Sequence, residues 1–103
     1  MNVEEIKAKF PNPIACVGPT PDGDNEPLFG EYCILGAAMM FKRNAEVEKT
    51  ISNIRFPTTL DASVELGISY NSADAIADLN DAEKFESAWH VLDLALQGRG
   101  FKD

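Results

Sequence analysis

TTLDASVELGISYN, residues 58–71, is the stretch that decides the fold class, because its pattern fits two kinds of secondary structure. Apolar and polar residues alternate along it, and this alternation is typical of a half-buried β-strand. Thr58 and Asp61, which follow a proline, instead form a helix start signal, and Gly67 stands where a helix would end. A lone strand among helices would also leave its backbone without a hydrogen-bonding partner. We therefore predict helix here, with a strand at 60–70 as the alternative.

The rest of the chain has mostly helical patterns. Apolar residues recur at helical spacing in five further segments, which we predict as short helices: 1–10, 32–41, 44–56, 72–79 and 85–97. The second of these is apolar on every side and is the predicted central helix, where Gly36, Ala37 and Ala38 would let another helix approach closely. Asn44 and Asn80 are the predicted N-caps of the helices that follow them.

Two segments are predicted without regular structure. Residues 11–30 hold five of the six prolines and are predicted to form a long loop, with a small hairpin pairing 14–17 with 28–32 as the alternative. Residues 98–103 are predicted to be a flexible tail. The chain is thus expected to be all-α, a single small domain of five or six short helices over residues 1–103; the alternative is α+β.

Composition excludes several classes of protein. The chain has 103 residues, of which 45% are hydrophobic and 25% charged, as in ordinary soluble globular proteins. Its longest uncharged apolar run, residues 32–41, is about half of the ~20 residues that a membrane span needs. The N-terminus has no apolar signal-peptide core, so we expect a cytoplasmic protein with no membrane partner.

No sequence motif indicates catalysis, a cofactor or a metal. The chain lacks the G-x-S-x-G, Walker A and G-x-G-x-x-G patterns. Cys16, Cys33 and His90 are too few for a structural zinc site, and we expect both cysteines to be reduced, with a disulfide as the alternative. The acidic residues of 22–26 lack the EF-hand spacing and are predicted to form a solvated turn, with weak calcium binding as the alternative. We therefore expect a protein that is not an enzyme.

Residues 60–79 resemble a helix-turn-helix in which Gly67 is the turn glycine. No lysine or arginine occurs from residue 56 to residue 83, and residues 57–97 carry eight acidic side chains against one basic side chain. The supposed recognition helix would present Tyr70 and Asp74 to the phosphates, among other residues. Since DNA affinity depends largely on cations that neutralise phosphates, Coulombic repulsion argues against a nucleic acid partner.

The function expected from these features is a small acidic protein-protein interaction domain of adaptor or inhibitor type. Tyr70, Val91 and Leu94 are the candidate interaction surface, because they are apolar residues in excess of the core stripes. The expected partner is another protein, of basic charge, with a homo-oligomer as a further possibility. The alternative function is a degenerate helix-turn-helix regulator that binds DNA through the one basic cluster, Lys42, Arg43, Lys49 and Arg55.

Overall fold

A computed structural model describes residues 1–15, 31–46 and 52–102 of the chain. Its helices are α1 (Val3–Lys9), α2 (Ile34–Lys42), α3 (Ser52–Arg55), α4 (Thr59–Leu66), α5 (Tyr70–Asp81) and α6 (Phe85–Leu96). These residues contain six helices and no strand, so the all-α prediction is confirmed. Several predicted features lie outside the described residues: Cys16, the acidic turn at 22–26, Lys49 and most of the loop at 11–30.

The stretch that decides the fold class is helical because both of its ends are capped. Thr58 Oγ1 accepts a hydrogen bond of 3.1 Å from the Asp61 N–H, which fixes the start of α4. Gly67 ends this helix with φ of 68°, a left-handed conformation that glycine adopts without steric cost. Ser69 then caps α5, its Oγ accepting from the Ser72 N–H at 3.0 Å. The alternative of a strand at 60–70 is therefore wrong.

Helix α2 is the central helix of the described structure. Its first seven residues, 34–40, are all buried, and α1, α3, α4, α5 and α6 all contact it. The predicted close approach occurs at Gly36, where a Cβ atom would lie 2.0 Å from the Arg55 carbonyl oxygen. That oxygen also accepts a 3.1 Å hydrogen bond from the Cys33 N–H, so the end of α3 packs directly on the start of α2.

Asn44 is not the N-cap predicted from the sequence. It has φ of 52° and forms the end of α2, where its N–H donates to the Phe41 carbonyl and the Ala45 N–H donates to the Met40 carbonyl. These two bonds define a Schellman motif, and asparagine is accepted there because it tolerates the left-handed conformation better than most residues. Glu83 ends α5 in the same way with φ of 61°, although a glutamate has no such tolerance.

Asn80 is also misassigned by the sequence, since it is not a cap of α6. Helix α5 continues to Asp81, and the Asn80 side chain is buried, with 2% of its surface exposed. Its Oδ1 accepts from the Ile34 N–H at 3.0 Å, and its Nδ2 donates to the Ile14 carbonyl at 2.9 Å. The amide thus joins α5 to the start of α2 and to the segment after α1, which is why it points inward.

The segment after α1 is hydrogen-bonded to Tyr32. The Asn12 N–H donates to the Tyr32 hydroxyl at 2.9 Å, and the Ile14 N–H donates to the Tyr32 carbonyl at 2.8 Å. Phe10 packs edge-on against the Tyr32 ring with a centroid distance of 5.4 Å. Burial raises the pKa of the Tyr32 phenol. The rest of the alternative hairpin lies outside the described residues.

The C-terminal tail contacts the start of α5. Its Phe101 carbonyl accepts hydrogen bonds from the hydroxyls of Ser69 and Ser72, and the Lys102 carbonyl accepts one of 2.8 Å from the Asn71 amide. A Cβ atom on Gly100 would lie 2.4 Å from Ser72 Oγ, so the tail lies against the helix without room for a side chain there. The tail predicted to be flexible is thus hydrogen-bonded to α5 over its described part.

Candidate interaction surface

The solvent face of α5 carries a row of carboxylates. Asp74, Asp78 and Asp81 are all exposed, and their spacing of four and then three residues places them on one side of the helix. Along the helix axis, these positions are separated by about 6 Å and about 4.5 Å, respectively. Tyr70 and Asn71 are exposed at the start of the same helix. We call these three aspartates the α5 acidic row.

Helix α4 exposes two aliphatic side chains that the sequence analysis did not single out. Leu60 is 60% exposed and Val64 is 75% exposed, and Asp61 beside them is exposed as well. We call these three residues the α4 outer face. The signal that could have found them is helical phase, because they lie opposite the buried Ala62 and Leu66 once the stretch is a helix.

The three residues predicted as an interaction surface have different environments. Tyr70 is 46% exposed and is the only one of the three among the exposed large apolar side chains of the described residues. Val91 is half-buried and packs against the hydrophobic core, and Leu94 is also half-buried. Met39 and Met40, two further apolar residues that could have joined Val91 and Leu94 in a patch, are both buried in α2.

Of the described cations of the basic cluster, Lys42 and Arg43 are exposed and bonded to Glu65, whereas Arg55 is buried. The Arg43 guanidinium makes a two-point ion pair with Glu65, in which Nε lies 2.9 Å from Oε1, and the Lys42 ammonium donates to the Glu65 carbonyl. The hydrogen bonds from Arg43 hold the pKa of the Glu65 carboxyl below its usual range. Arg55 is only 5% exposed. Among the described residues, two cations of the cluster therefore have Glu65 as a bonding partner, and the third lies in the interior.

A small pocket lies between the starts of α2 and α4 and the end of α5. Its volume is about 180 Å³, and its lining residues are Cys33, Leu35, Pro57, Thr58, Thr59, Ala77, Asn80 and Asp81. Cys33 Sγ accepts from the Gly36 N–H and donates to the Arg55 carbonyl, both at 3.3 Å, while the Asn80 amide is bonded as described above. These polar groups of the pocket therefore hydrogen-bond to backbone groups and stabilise the fold.

The described residues offer neither a metal-binding cluster nor a helix that could span a membrane. They contain no group of three His, Cys, Asp or Glu side chains placed to hold a metal ion. In the same part of the chain, every helix is too short or too polar to cross a bilayer. His90, the single histidine of the chain, is exposed on α6.

Comparison with known proteins gives no relative. No family model, curated protein or solved structure matches the chain.

Proposed function

We propose that the protein is a non-enzymatic protein-protein interaction domain, of adaptor or inhibitor type, that binds a basic protein partner through the solvent side of α4 and α5. The observation that carries this proposal is the α5 acidic row, three exposed carboxylates in a stretch of chain that has no lysine or arginine from residue 56 to residue 83. The partner would place lysine or arginine side chains beside these carboxylates.

Electrostatics would contribute mainly to the rate and specificity of such binding. Residues 57–97, which include α4, α5 and α6, carry eight acidic and one basic side chain, so 1 − 8 = −7 of the total charge of −8 is concentrated there. A surface of one sign raises the association rate of an oppositely charged partner and rejects partners of like charge. Each exposed ion pair adds only about 0–1 kcal/mol, so part of the affinity would come from apolar contacts.

The alternative function, a degenerate helix-turn-helix that binds DNA, is less well supported. The order of α4, the Gly67 turn and α5 fits the motif, but α5 exposes Asp74 and Asp78 where a DNA-binding helix needs neutral or basic groups. The Asn71 amide at the start of α5 already donates to the Lys102 carbonyl. Of the basic cluster, Arg43 is paired with Glu65.

We propose the cytoplasm as the compartment. The support is the Cys33 thiol, which is buried and donates a hydrogen bond to the Arg55 carbonyl, a role that requires the reduced sulfur. Reduced thiols are the normal state of cytosolic proteins.

The test is capture of partners by the tagged full-length chain at low and at high salt, followed by measurement of binding to the purified partner. We expect Asp74→Asn/Asp78→Asn to weaken retention of the partner at low salt. The two side chains are exposed, so the substitution leaves the core intact and removes two charges of the row. Glu4→Gln/Glu5→Gln is the matched control, since it removes two exposed carboxylates from α1, outside residues 57–97. Binding that is insensitive to salt, or a mobility shift of mixed duplex DNA at micromolar protein, would contradict the proposal.

A further inference from the structure

The α4 outer face is an apolar surface without a partner in the described structure. Leu60 and Val64 are one helical turn apart, about 6 Å along the axis, and Val64 at 75% is the most exposed large apolar side chain among the described residues. Asp61 is exposed on the same face. An aliphatic pair at this spacing forms a continuous strip on a helix surface.

Folding alone gives no reason for these residues. A β-branched valine loses side-chain freedom in a helix, so an exposed Val64 is a poorer choice for α4 than alanine, lysine or glutamate. Solubility would equally favour a polar residue at Leu60. By contrast, Ala62 and Leu66 of the same helix are buried and have an evident packing role. The aliphatic strip is therefore better explained by a contact with another molecule.

We infer that the α4 outer face docks an amphipathic basic helix of the partner. This inference rests on the proposed function and identifies the part of the partner that binds. Leucine-like side chains of that helix would pack against Leu60 and Val64, because residues one turn apart on two helices interdigitate. Lysine or arginine side chains flanking them would lie next to Asp61. The α5 acidic row would raise the encounter rate through its field.

Charge argues for a basic partner over a second copy of this chain. In a two-fold dimer the same patch lies on both sides of the interface, so the outer face of one copy would meet that of the other. Two chains of charge −8 would then be brought together, and the cations bonded to α4, Lys42 and Arg43, already have Glu65 as their partner. A basic amphipathic helix satisfies the aliphatic strip and the carboxylate at once.

The test uses two synthetic peptides made only of leucine and lysine, with identical composition and charge. In one, the leucines recur at helical spacing to give an apolar face; in the other, they are distributed around the helix. Amide chemical shifts of the isotope-labelled full-length chain are followed during titration with each peptide. We expect the amphipathic peptide to shift the amides of Leu60, Asp61 and Val64 and to bind more tightly than the distributed peptide.

Two variants distinguish the contribution of the α4 outer face to peptide binding from the contribution of the overall charge. We expect Leu60→Gln/Val64→Ser to weaken binding of the amphipathic peptide roughly tenfold, because the apolar contact area is lost. Phe101→Ser is the matched control: it removes another exposed apolar side chain, 56% exposed, and should leave the affinity within about twofold. Circular dichroism should show the same helix content in all three proteins, since the changed side chains are exposed.

The remaining outcomes overturn the inference in distinguishable ways. If both peptides bind equally and the shifts are confined to the α5 acidic row, the docking face is refuted while the proposed function stands. If neither peptide binds, the docking face is refuted, and the salt dependence of partner capture decides the proposed function separately. If the α4 amides shift with protein concentration alone and sedimentation shows a dimer, then a second copy of the chain covers the face and the basic helix is refuted.

Discussion

Replacing Asn80 with alanine should destabilise the fold, even though alanine has a higher helix propensity than asparagine. The Asn80 amide is 2% exposed and makes two hydrogen bonds to backbone groups distant in sequence. Alanine would leave the Ile34 N–H at the start of α2 and the Ile14 carbonyl without these partners. The helix preference of alanine over asparagine offsets the loss by less than about 0.7 kcal/mol.

The magnitude follows from the two groups left behind. A buried backbone donor or acceptor that loses its partner costs about 1–3 kcal/mol. Ile14 is half-buried, so water can replace part of the second bond, whereas Ile34 is 0% exposed. We expect Asn80→Ala to lower the free energy of unfolding by about 3 kcal/mol, a large part of the roughly 5–15 kcal/mol of a typical domain.

Urea denaturation followed by circular dichroism measures this difference through the midpoint at unchanged slope. Asn71→Ala is the matched control, because Asn71 is an exposed asparagine of the same helix and its loss should cost about 0.5 kcal/mol. Asn80→Asp distinguishes hydrogen bonding from volume: it keeps the shape but turns a carboxylate oxygen toward the Ile14 carbonyl. The pKa of that carboxyl would be raised, so its stability should recover as pH falls and decline as pH rises. An Asn80→Ala midpoint equal to that of Asn71→Ala would refute the reasoning.

Three further predictions concern other contacts. Gly36→Ala should lower the free energy of unfolding by at least about 3 kcal/mol in urea, because its methyl group would lie 2.0 Å from the Arg55 carbonyl oxygen and the backbones would have to separate; a loss below about 1 kcal/mol would contradict this packing. Glu83→Gly should raise the thermal midpoint, with a gain of about 0.5–1 kcal/mol, because glycine removes the cost of φ at 61°; an unchanged or lower midpoint would argue against left-handed strain. Glu65→Gln should be less stable than the unchanged chain at neutral pH and low salt. The Arg43 bonds lower the Glu65 pKa, so that difference is present above the unfolded-state pKa and disappears as pH falls through the folded-state pKa; a pH-independent difference would show that charge is not its cause.

Much of the helical framework could be predicted because its signals are local. The stripe that includes Phe85 and Trp89 gives α6, in which Trp89 is buried as expected. Thr58 and Gly67 mark the two ends of α4 through their own capping and left-handed geometry. Each of these signals depends on residues within a few positions, so the sequence pattern contains the whole cause.

The errors concern residues whose role depends on contacts distant in the chain. Asn44 and Asn80 are both compatible with an N-cap by residue type, but one ends α2 in a left-handed conformation and the other bonds to Ile34, 46 residues away. Arg55 has the appearance of a surface cation, yet its burial depends on how α3 packs on α2. The buried side of α4 is ambiguous in the sequence, because strand alternation would place Leu60 and Val64 on the same side as Ala62, whereas helical phase places them opposite it.

The start of α2 has an unusual consequence for hydrogen exchange. Amides in the first turn of a helix normally exchange quickly, because they have no partner within the helix. Here the Cys33 amide is bonded to the Arg55 carbonyl, and the Ile34 amide is bonded to a side chain 46 residues away. These two amides can therefore exchange only when helices separate from one another. These amides should be protected against exchange nearly as long as the amides in the middle of α2. Although they lie at the end of a helix, their exchange would report the opening of the whole tertiary structure.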